Sequence, residues 1–362
     1  MPAISVRDIQ VKDDSTCLCA DLIAGTHGRG FWILDDLSPL RQLARSRAPA
    51  TYLVKPQPAV RVRFGTNEPT PWPPELPAAE NPPNGAVIDY ALGADASGPV
   101  KLEILEAGGR VIRSYSSADS IQTPDPALDP AAYTKLCQGN PAAADCTLPL
   151  YWPAPQRRLG TSVGLHRFLW DMRYQPIGDN PRVGEVDATG AVPHRSEHSA
   201  PTPWATPGRY TVRLTVNGKT YTQPLTLRLD PRVRTPAAGL RQLAALSREM
   251  YDLAVAAHDA YQQARARADS VSGAVRAQID SLAPPAGAQP RPRRGGGGGG
   301  RTAQAAGARP TLASASQAAL AAALAMQDAD VTPTAGQVAA CARARAQANA
   351  VLAQWRRLKT KR

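Results

Sequence analysis

Proline is the residue that most limits how this chain can fold. The 362 residues include 35 prolines, about twice the usual share of roughly 5 %. Many lie in segments such as PTPWPPELPAAENPPNG, where proline removes backbone donors and fixes φ, so that neither helix nor sheet interior can form. Between these segments we predict a short β region at 1–48, a proline-rich connector at 49–85, a β region at 86–233 and a helical region at 235–362.

The first region contains short strand-like pieces. Val6, Ile9 and Val11 alternate nearly with period two, with one slip. Gly28 and Gly30 flank one arginine, which indicates a tight turn before the apolar run FWIL. We predict one hairpin of a larger sheet, because an isolated hairpin is at best marginally stable.

The β region at 86–233 has the clearest local signal. Apolar residues alternate from Tyr210 to Val216, then Asn217-Gly218 follows, and a second alternating run returns. Asn-Gly between such runs is typical of a hairpin, because the turn needs positive φ at both positions. A second run of alternating aromatic and apolar residues predicts a strand from His166 to Tyr174. Short strands with these turn signals predict an immunoglobulin-like or fibronectin-like β-sandwich, interrupted by proline-rich insertions at about 117–160 and 176–207.

The last region has helical spacing of apolar residues. Thr235-Pro236 fits an N-cap followed by proline, and Thr334 with Gln337 has the spacing of a capping box. A glycine- and arginine-rich stretch at about 284–310 interrupts the pattern, and we expect it to be a disordered linker. The helices are expected to pack as antiparallel hairpins, which gives a mainly β chain with an α C-terminus.

The net charge of +12 belongs mostly to the end of the chain. Residues 289–309 carry five arginines and no acidic residue, whereas residues 1–234 carry a net charge of +2. No aromatic residue lies among the linker arginines, so we favour a solvated tail over specific nucleic-acid binding. No apolar run reaches the ~18 residues that a membrane span needs. No signal peptide is visible, so we expect a cytoplasmic protein or a chain that begins inside a longer one.

Five cysteines are present, and two of them suggest a crosslink. Cys137 and Cys146 bracket a short loop that could close as a disulfide in an oxidising compartment. Cys17 and Cys19 would point the same way on a strand and are poorly placed to bond each other. Cys341 falls on a helical apolar stripe and is expected to be a small buried residue.

Metal and cofactor signals are weak. His194 and His198 have a spacing that suits ligands on a helix, but their proline-containing segment is not expected to be helical. No nucleophile elbow, phosphate loop or dinucleotide motif occurs. We therefore predict no catalytic residues, no metal and no cofactor.

One polar group near aromatic residues stands out in THGRGFWILDD. Its weak candidates for ligand or partner contact are His27, Arg29, Trp32, Asp35 and Asp36. The structural alternative, a glycine-pinned turn with an Arg–Asp pair, is favoured because such devices are common. The two adjacent aspartates are too close in sequence to act by themselves as an opposed glycosidase pair.

Several segments together resemble a known family. VRDIQV…DLIAGTHGRGFWILDDLSPLRQL resembles the last propeller segment of bacterial BNR-repeat, sortilin-like (VPS10-type) proteins, often labelled glycosyl hydrolase or sialidase-like. ENPPNGAVIDYAL, GPVKLEILEAGGRVIRSYSS, GLHRFLWDMRY and PGRYTVRLTVNGKTYTQPLTLRLDPRV resemble the connector and sandwich that follow that propeller. The resemblance implies that residues 1–48 are a last-blade remnant, whereas the repeats with S-x-D-x-G-x-x-W boxes are absent.

The resemblance implies a non-catalytic accessory region of a secreted propeller protein. Such a region would dock on upstream propeller blades, of the same or another chain, and bind a protein or a glycan. The alternative is a fragment of a sialidase-like glycoside hydrolase whose active site lies in missing upstream blades. An extracellular or periplasmic location is expected if a longer chain carries its own signal.

Overall fold

The computed structural model describes most of the chain in two compact units. The described residues are 3–14, 19–44, 51–63, 85–120, 129–139, 146, 156–178, 186–187, 197–198, 201–285 and 309–360. The first unit comprises residues 1–175 and 180–233, and the second comprises residues 176–179 and 234–362. Most of the expected connector, at 64–84, and most of the expected linker, at 286–308, lie outside the described residues.

Three antiparallel strands open the first unit. They are β1 (Val6–Asp14), β2 (Cys19–Thr26) and β3 (Phe31–Leu34), and β2 lies in the middle. The register of β1 against β2 shifts between Val6 and Asp8. This bulge explains the slip in the apolar alternation, because an extra residue in one strand resets which side chains share a face.

Ten further short strands follow in the first unit. They are β4 (Tyr52–Leu53), β5 (Ala59–Arg61), β6 (Ala86–Leu92), β7 (Lys101–Glu106), β8 (Val111–Ser116), β9 (Gly164–Trp170), β10 (Val186–Asp187), β11 (Glu197–His198), β12 (Gly208–Val216) and β13 (Lys219–Leu229). One sheet has five strands in the order β5-β13-β12-β7-β8, and another has three in the order β4-β6-β9. Strands β10 and β11 form a separate antiparallel pair.

Strand β12 lies at the centre of the five-stranded sheet. Its apolar residues Tyr210, Val212, Leu214 and Val216 are all buried, as the alternation predicts. Val216 pairs with Lys219 across Asn217-Gly218, and both turn residues have positive φ. Strand β13 lies between β12 and β5, and its pairing with β5 is parallel.

Aromatic side chains connect the sheet of β4, β6 and β9 to the five-stranded sheet. Trp170 on β9 meets Tyr210 on β12 edge-on, with ring centroids 5.6 Å apart. Phe168 on β9 meets Tyr115 on β8 in the same way at 4.6 Å. These two ring contacts bring β9 against β8 and β12 of the five-stranded sheet.

The strand predicted from His166 to Tyr174 is wrong in its extent. Strand β9 ends at Trp170, because Met172 takes a left-handed conformation with φ 56° and Asp171 accepts a hydrogen bond from the backbone of Arg173. The indole of Trp170 donates to the Arg173 carbonyl across this turn. Met172 and Tyr174 nevertheless remain buried, so the apolar pattern reports burial after the strand has stopped.

Six helices lie within the described residues. They are α1 (Ser38–Leu43), α2 (Pro130–Gly139), α3 (Ala237–Ala268), α4 (Gly273–Leu282), α5 (Leu312–Leu324) and α6 (Ala335–Lys359). The predicted capping box of Thr334 and Gln337 is confirmed at the start of α6, and Thr311 with Ser314 forms another at the start of α5. In this part of the chain, none of the helices combines the length and the apolar content that crossing a bilayer requires.

The predicted N-cap at Thr235 is wrong. Its hydroxyl donates to the carbonyl of Asp330 at 2.5 Å instead, and α3 starts after Pro236 without a side-chain cap. The hydroxyl thus joins the start of α3 to the segment that precedes α6.

Helix α5 packs between two longer helices. Ser316 on α5 donates to the Ala254 carbonyl of α3, and Gln347 on α6 donates to Ser314 on α5. Arg345 on α6 forms a bidentate pair with Glu249 on α3. The helical core is rich in alanine, which allows close approach of the helix axes.

Candidate interaction surface

The sheet of β1, β2 and β3 presents a face that is mostly apolar, with Asp13 and Thr26 as its polar residues toward the strand ends. Cross-strand partners share a face, and the registers pair Ile9 with Ala24 and Ala24 with Trp32. They likewise pair Val11 with Leu22 and Leu22 with Leu34. We call these side chains the apolar face: Ile9, Val11, Leu22, Ala24, Trp32 and Leu34.

Much of the apolar face is open to solvent. Ile9 is 59 % exposed, Val11 49 % and Leu34 43 %. A contiguous apolar patch of this kind is typical of an interaction site, whereas scattered single apolar residues are ordinary on protein surfaces. The feature is therefore the strongest candidate for contact with another protein surface.

Strand β3 is exposed on its other face too. Phe31 is 81 % exposed and Ile33 62 % exposed, and both lie on the face opposite the apolar face. Apolar residues on both faces of one strand are typical of a strand buried on both sides.

A glycine-rich turn joins β2 to β3. Gly28 and Gly30 have φ values of 78° and 70°, a region that favours glycine. The backbone N–H of Thr26 and its hydroxyl both donate to the Gly30 carbonyl, at 3.1 and 2.7 Å. The side chains of His27 and Arg29 are exposed at this turn.

Trp32 and Asp36 take part in local contacts. The indole of Trp32 donates to the carbonyl of Arg29 at 3.2 Å. Asp36 has φ 60°, its backbone N–H donates to the carboxylate of Asp21 at 3.0 Å, and its own carboxylate accepts from the backbone and hydroxyl of Ser38. These contacts shape the start of α1.

The charges of Asp35 and Asp36 also affect the pKa of Arg167, which lies in the sheet of β4, β6 and β9. Arg167 on β9 binds the buried carboxylate of Asp89 on β6 through two hydrogen bonds of 2.9 and 3.0 Å. These bonds raise the pKa of Arg167, and the charges of Asp36 and Asp35 raise it further. Of the five candidate residues, His27 and Arg29 therefore lie in the turn and Trp32 on β3, while Asp35 and Asp36 follow β3 and their charges act on Arg167 of β9.

A buried polar network in the first unit gave no sequence signal. Arg113 donates to the Tyr115 hydroxyl at 2.8 Å and to the Asp171 carboxylate at 3.1 Å. Burial is the main cause that raises the pKa of Tyr115, so this phenol stays protonated at neutral pH. The network joins β8 to the end of β9 and has the character of a structural support.

Cys137 and Cys146 are joined as a disulfide, with their Cα atoms 5.4 Å apart. Cys341 is a buried thiol, and burial raises its pKa. Cys17 lies outside the described residues, and of Cys19 only the backbone is described.

The histidines considered as ligands fall largely outside the described residues. His194 is not described, and of His198 only the backbone in β11 is. Among the side chains that the structure describes, no group of three or more His, Cys, Asp or Glu residues could hold a metal ion.

Comparison of the chain with protein-family models, with curated proteins and with solved structures gives no match. The interpretation of its function therefore depends on the residues and geometry of this chain.

Proposed function

We propose that the chain is a non-catalytic interaction region that docks on another folded protein through the apolar face of β1–β3. The observation that carries the proposal is the exposure of Ile9, Val11 and Leu34 on a face whose one charged strand residue, Asp13, lies at its end and is paired with Arg41. In the family that the sequence resembles, the docking partner would be the upstream blades of a secreted BNR-repeat propeller, and residues 1–48 a remnant of its last blade.

The chemistry of the face favours a protein over a glycan. Among its six side chains the only hydrogen-bonding group is the indole N–H of Trp32, which already donates to the Arg29 carbonyl, and the neighbouring Asp13 and Thr26 are engaged with Arg41 and Gly30. A sugar needs partners for its hydroxyl groups, whereas a second apolar sheet face needs none. Sheet-on-sheet packing at about 10 Å would bury the whole face.

We further propose a sandwich for the β region and antiparallel helical hairpins for the second unit. The edge-on contacts of Trp170 with Tyr210 and of Phe168 with Tyr115 support the sandwich. The contacts of α5 with α3 and α6 support the helical arrangement. In this proposal both parts are the accessory body that carries the docking sheet.

An extracellular or periplasmic location is part of the proposal. The disulfide of Cys137 and Cys146 supports it, because such bonds persist in oxidising compartments. The glycoside-hydrolase alternative places its active site in blades outside this chain, and no described residue of the chain favours it.

The first test is the intact mass of the native protein in its source cells. The chain itself has a mass of 38.4 kDa. We expect a clearly larger mass, detected with an antibody against the helical region. A native mass near 38.4 kDa would contradict docking on blades of the same chain.

The second test compares backbone hydrogen exchange in the native protein and in the 362-residue chain. If the apolar face is covered, amides of β2 and β3 should exchange more slowly in the native protein. Amides of β12 are the internal control, because this central strand is covered in both samples. Equal exchange of β2 and β3 in both samples would contradict the proposal.

A further inference from the structure

Strand β3 has a free hydrogen-bonding edge in the described part of the chain. Strand β3 pairs with β2 alone, and β2 separates it from β1. The Thr26 N–H donates to the Gly30 carbonyl, and hydrogen-bonded pairs then alternate along an antiparallel ladder. The backbone N–H and C=O groups of Phe31 and Ile33 therefore point away from β2, toward the free edge.

The β1 edge of this sheet is protected against pairing with a further strand, whereas the β3 edge is not. Strand β1 carries charged residues along its length and a bulge between Val6 and Asp8. Charges and bulges are the usual means of blocking unwanted strand pairing. Strand β3, with the sequence FWIL, has neither.

The sequence around β3 is self-complementary about its second residue. We propose that β3 pairs antiparallel with β3 of a second copy of this chain, with Trp32 opposite Trp32 on the two-fold axis. In this register Phe31 lies opposite Ile33, and both have outward-pointing backbone groups. An aromatic residue opposite a β-branched one is a favourable cross-strand pair.

Charge complementarity selects a second copy as the occupant. Arg29 and Asp35 lie three residues on either side of Trp32, so each Arg29 faces Asp35 of the other copy. The exposed side chain of Arg29 makes no hydrogen bond or ion pair with any residue that the structure describes. Asp35 is also exposed. The two-fold register thus supplies two ion pairs at the ends of the paired strands.

The interface is small, so the dimer should be weak. Four residues on each side bury far less than the ~1,200 Å² of a stable interface. We expect a reversible dimer with a dissociation constant on the order of 10–1,000 μM. The exposed ion pairs make it weaker at high salt.

The experiment is sedimentation equilibrium of the full 362-residue chain at 5–500 μM, in ~50 mM and ~500 mM salt. Arg29→Glu and Asp35→Arg each place like charges opposite one another at both ends. Each should weaken the dimer about tenfold. Arg7→Glu is the matched control, because it makes the same charge change at the protected edge and should leave the dimer unchanged.

Mixing the two single variants tests the register. A heterodimer of Arg29→Glu with Asp35→Arg has opposite charges at both ends, so the mixture should recover the association of the unchanged chain. A monomer at every concentration would overturn the proposal. A dimer that Arg29→Glu does not weaken, or one that mixing does not restore, would overturn it as well.

Discussion

The imidazole of His166 leaves no room for a side chain at position 160. A Cβ atom on Gly160 would overlap the ring and lie 2.6 Å from its Cε1 atom. The ring cannot move away easily, because it stacks on Tyr90 and its Nε2 contacts the Ser162 carbonyl at 2.6 Å. Tyr90 in turn donates to the Gly160 carbonyl at 2.8 Å, so three residues fix one another.

Gly160→Ala should therefore destabilise the first unit. Overpacking at a constrained site costs about 1–3 kcal/mol, and urea unfolding would measure the loss. Gly108→Ala is the matched control, since a Cβ there meets no atom within 4 Å. Equal stability of the two variants would mean that the His166 ring moves freely.

The Glu249–Arg345 pair should make the stability of the helical unit dependent on pH. The hydrogen bond from Arg345 lowers the pKa of Glu249 below its usual value of 4.5. A carboxylate with a lowered folded-state pKa stabilises the protein above about pH 4.5 and loses this contribution as the pH falls through the folded-state value. The difference in unfolding free energy between the unchanged chain and Glu249→Gln should shrink between pH 5 and pH 3.

Unfolding by urea at several pH values measures this difference. Urea is uncharged, so it does not screen the ion pair. Asp259→Asn is the control on the same helix, because Asp259 is exposed and has no ion pair within the described residues. A difference for Glu249→Gln that stays constant across this pH range would show that the pair does not contribute.

At the scale of elements, local signals predicted β12, β13 and the cap of α6. Alternation and Asn217-Gly218 are sufficient for the strand pair, because both act over a few residues. The parallel pairing of β5 with β13 gave no such signal, because a three-residue strand has no measurable period and its partner lies far along the chain. The end of β9 was missed because Met172, not a glycine, takes the left-handed conformation.

The turn between β12 and β13 should be sensitive to its glycine. Gly218 has φ 73°, and Asn217 beside it accepts a hydrogen bond from Ser97 and donates to the Asp95 carbonyl. Gly218→Ala should cost about 1 kcal/mol, because a Cβ atom is strained in this conformation. Thermal unfolding would measure the cost. A variant as stable as the unchanged chain would contradict the turn geometry.

The capping box of α6 gives a second prediction at this scale. Thr334→Ala removes the acceptor for the Gln337 N–H and should cost about 1 kcal/mol. Thr334→Ser keeps the hydroxyl and should lose less than half of that amount. Urea unfolding of the two variants compares them directly, and equal losses would exclude a capping contribution.

At the scale of the whole molecule, the candidate surface could be predicted only in part. In the segment THGRGFWILDD the sequence pointed mainly to polar residues as contact candidates, whereas in the structure the exposed apolar residues of this segment form part of the candidate surface. The alternation of Ile9 with Val11 and of Trp32 with Leu34 shows that one face is apolar. Whether anything covers that face depends on the rest of the molecule, and no local pattern carries this information.

Polar substitutions on the apolar face should change surface properties without changing the fold. Ile9→Gln with Val11→Gln should reduce binding of an apolar fluorescent dye, and the unfolding free energy should change by less than about 1 kcal/mol. Val163→Gln is the control, since Val163 is 63 % exposed outside the sheet of β1–β3. An equal loss of dye binding in the control would show that the apolar face binds the dye no better than a single exposed apolar residue elsewhere.

The interleaving of the two units has a consequence for cleavage of the chain. Strands β7 and β8 precede residues 176–179, which belong to the helical unit, whereas β12 and β13 follow them, and β12 lies beside β7 in the same five-stranded sheet. A protease that cuts once between residues 178 and 201 would produce two polypeptides, neither with the complete five-stranded sheet. The two pieces should co-purify after such a nick, and when expressed separately they should reassemble as a split protein.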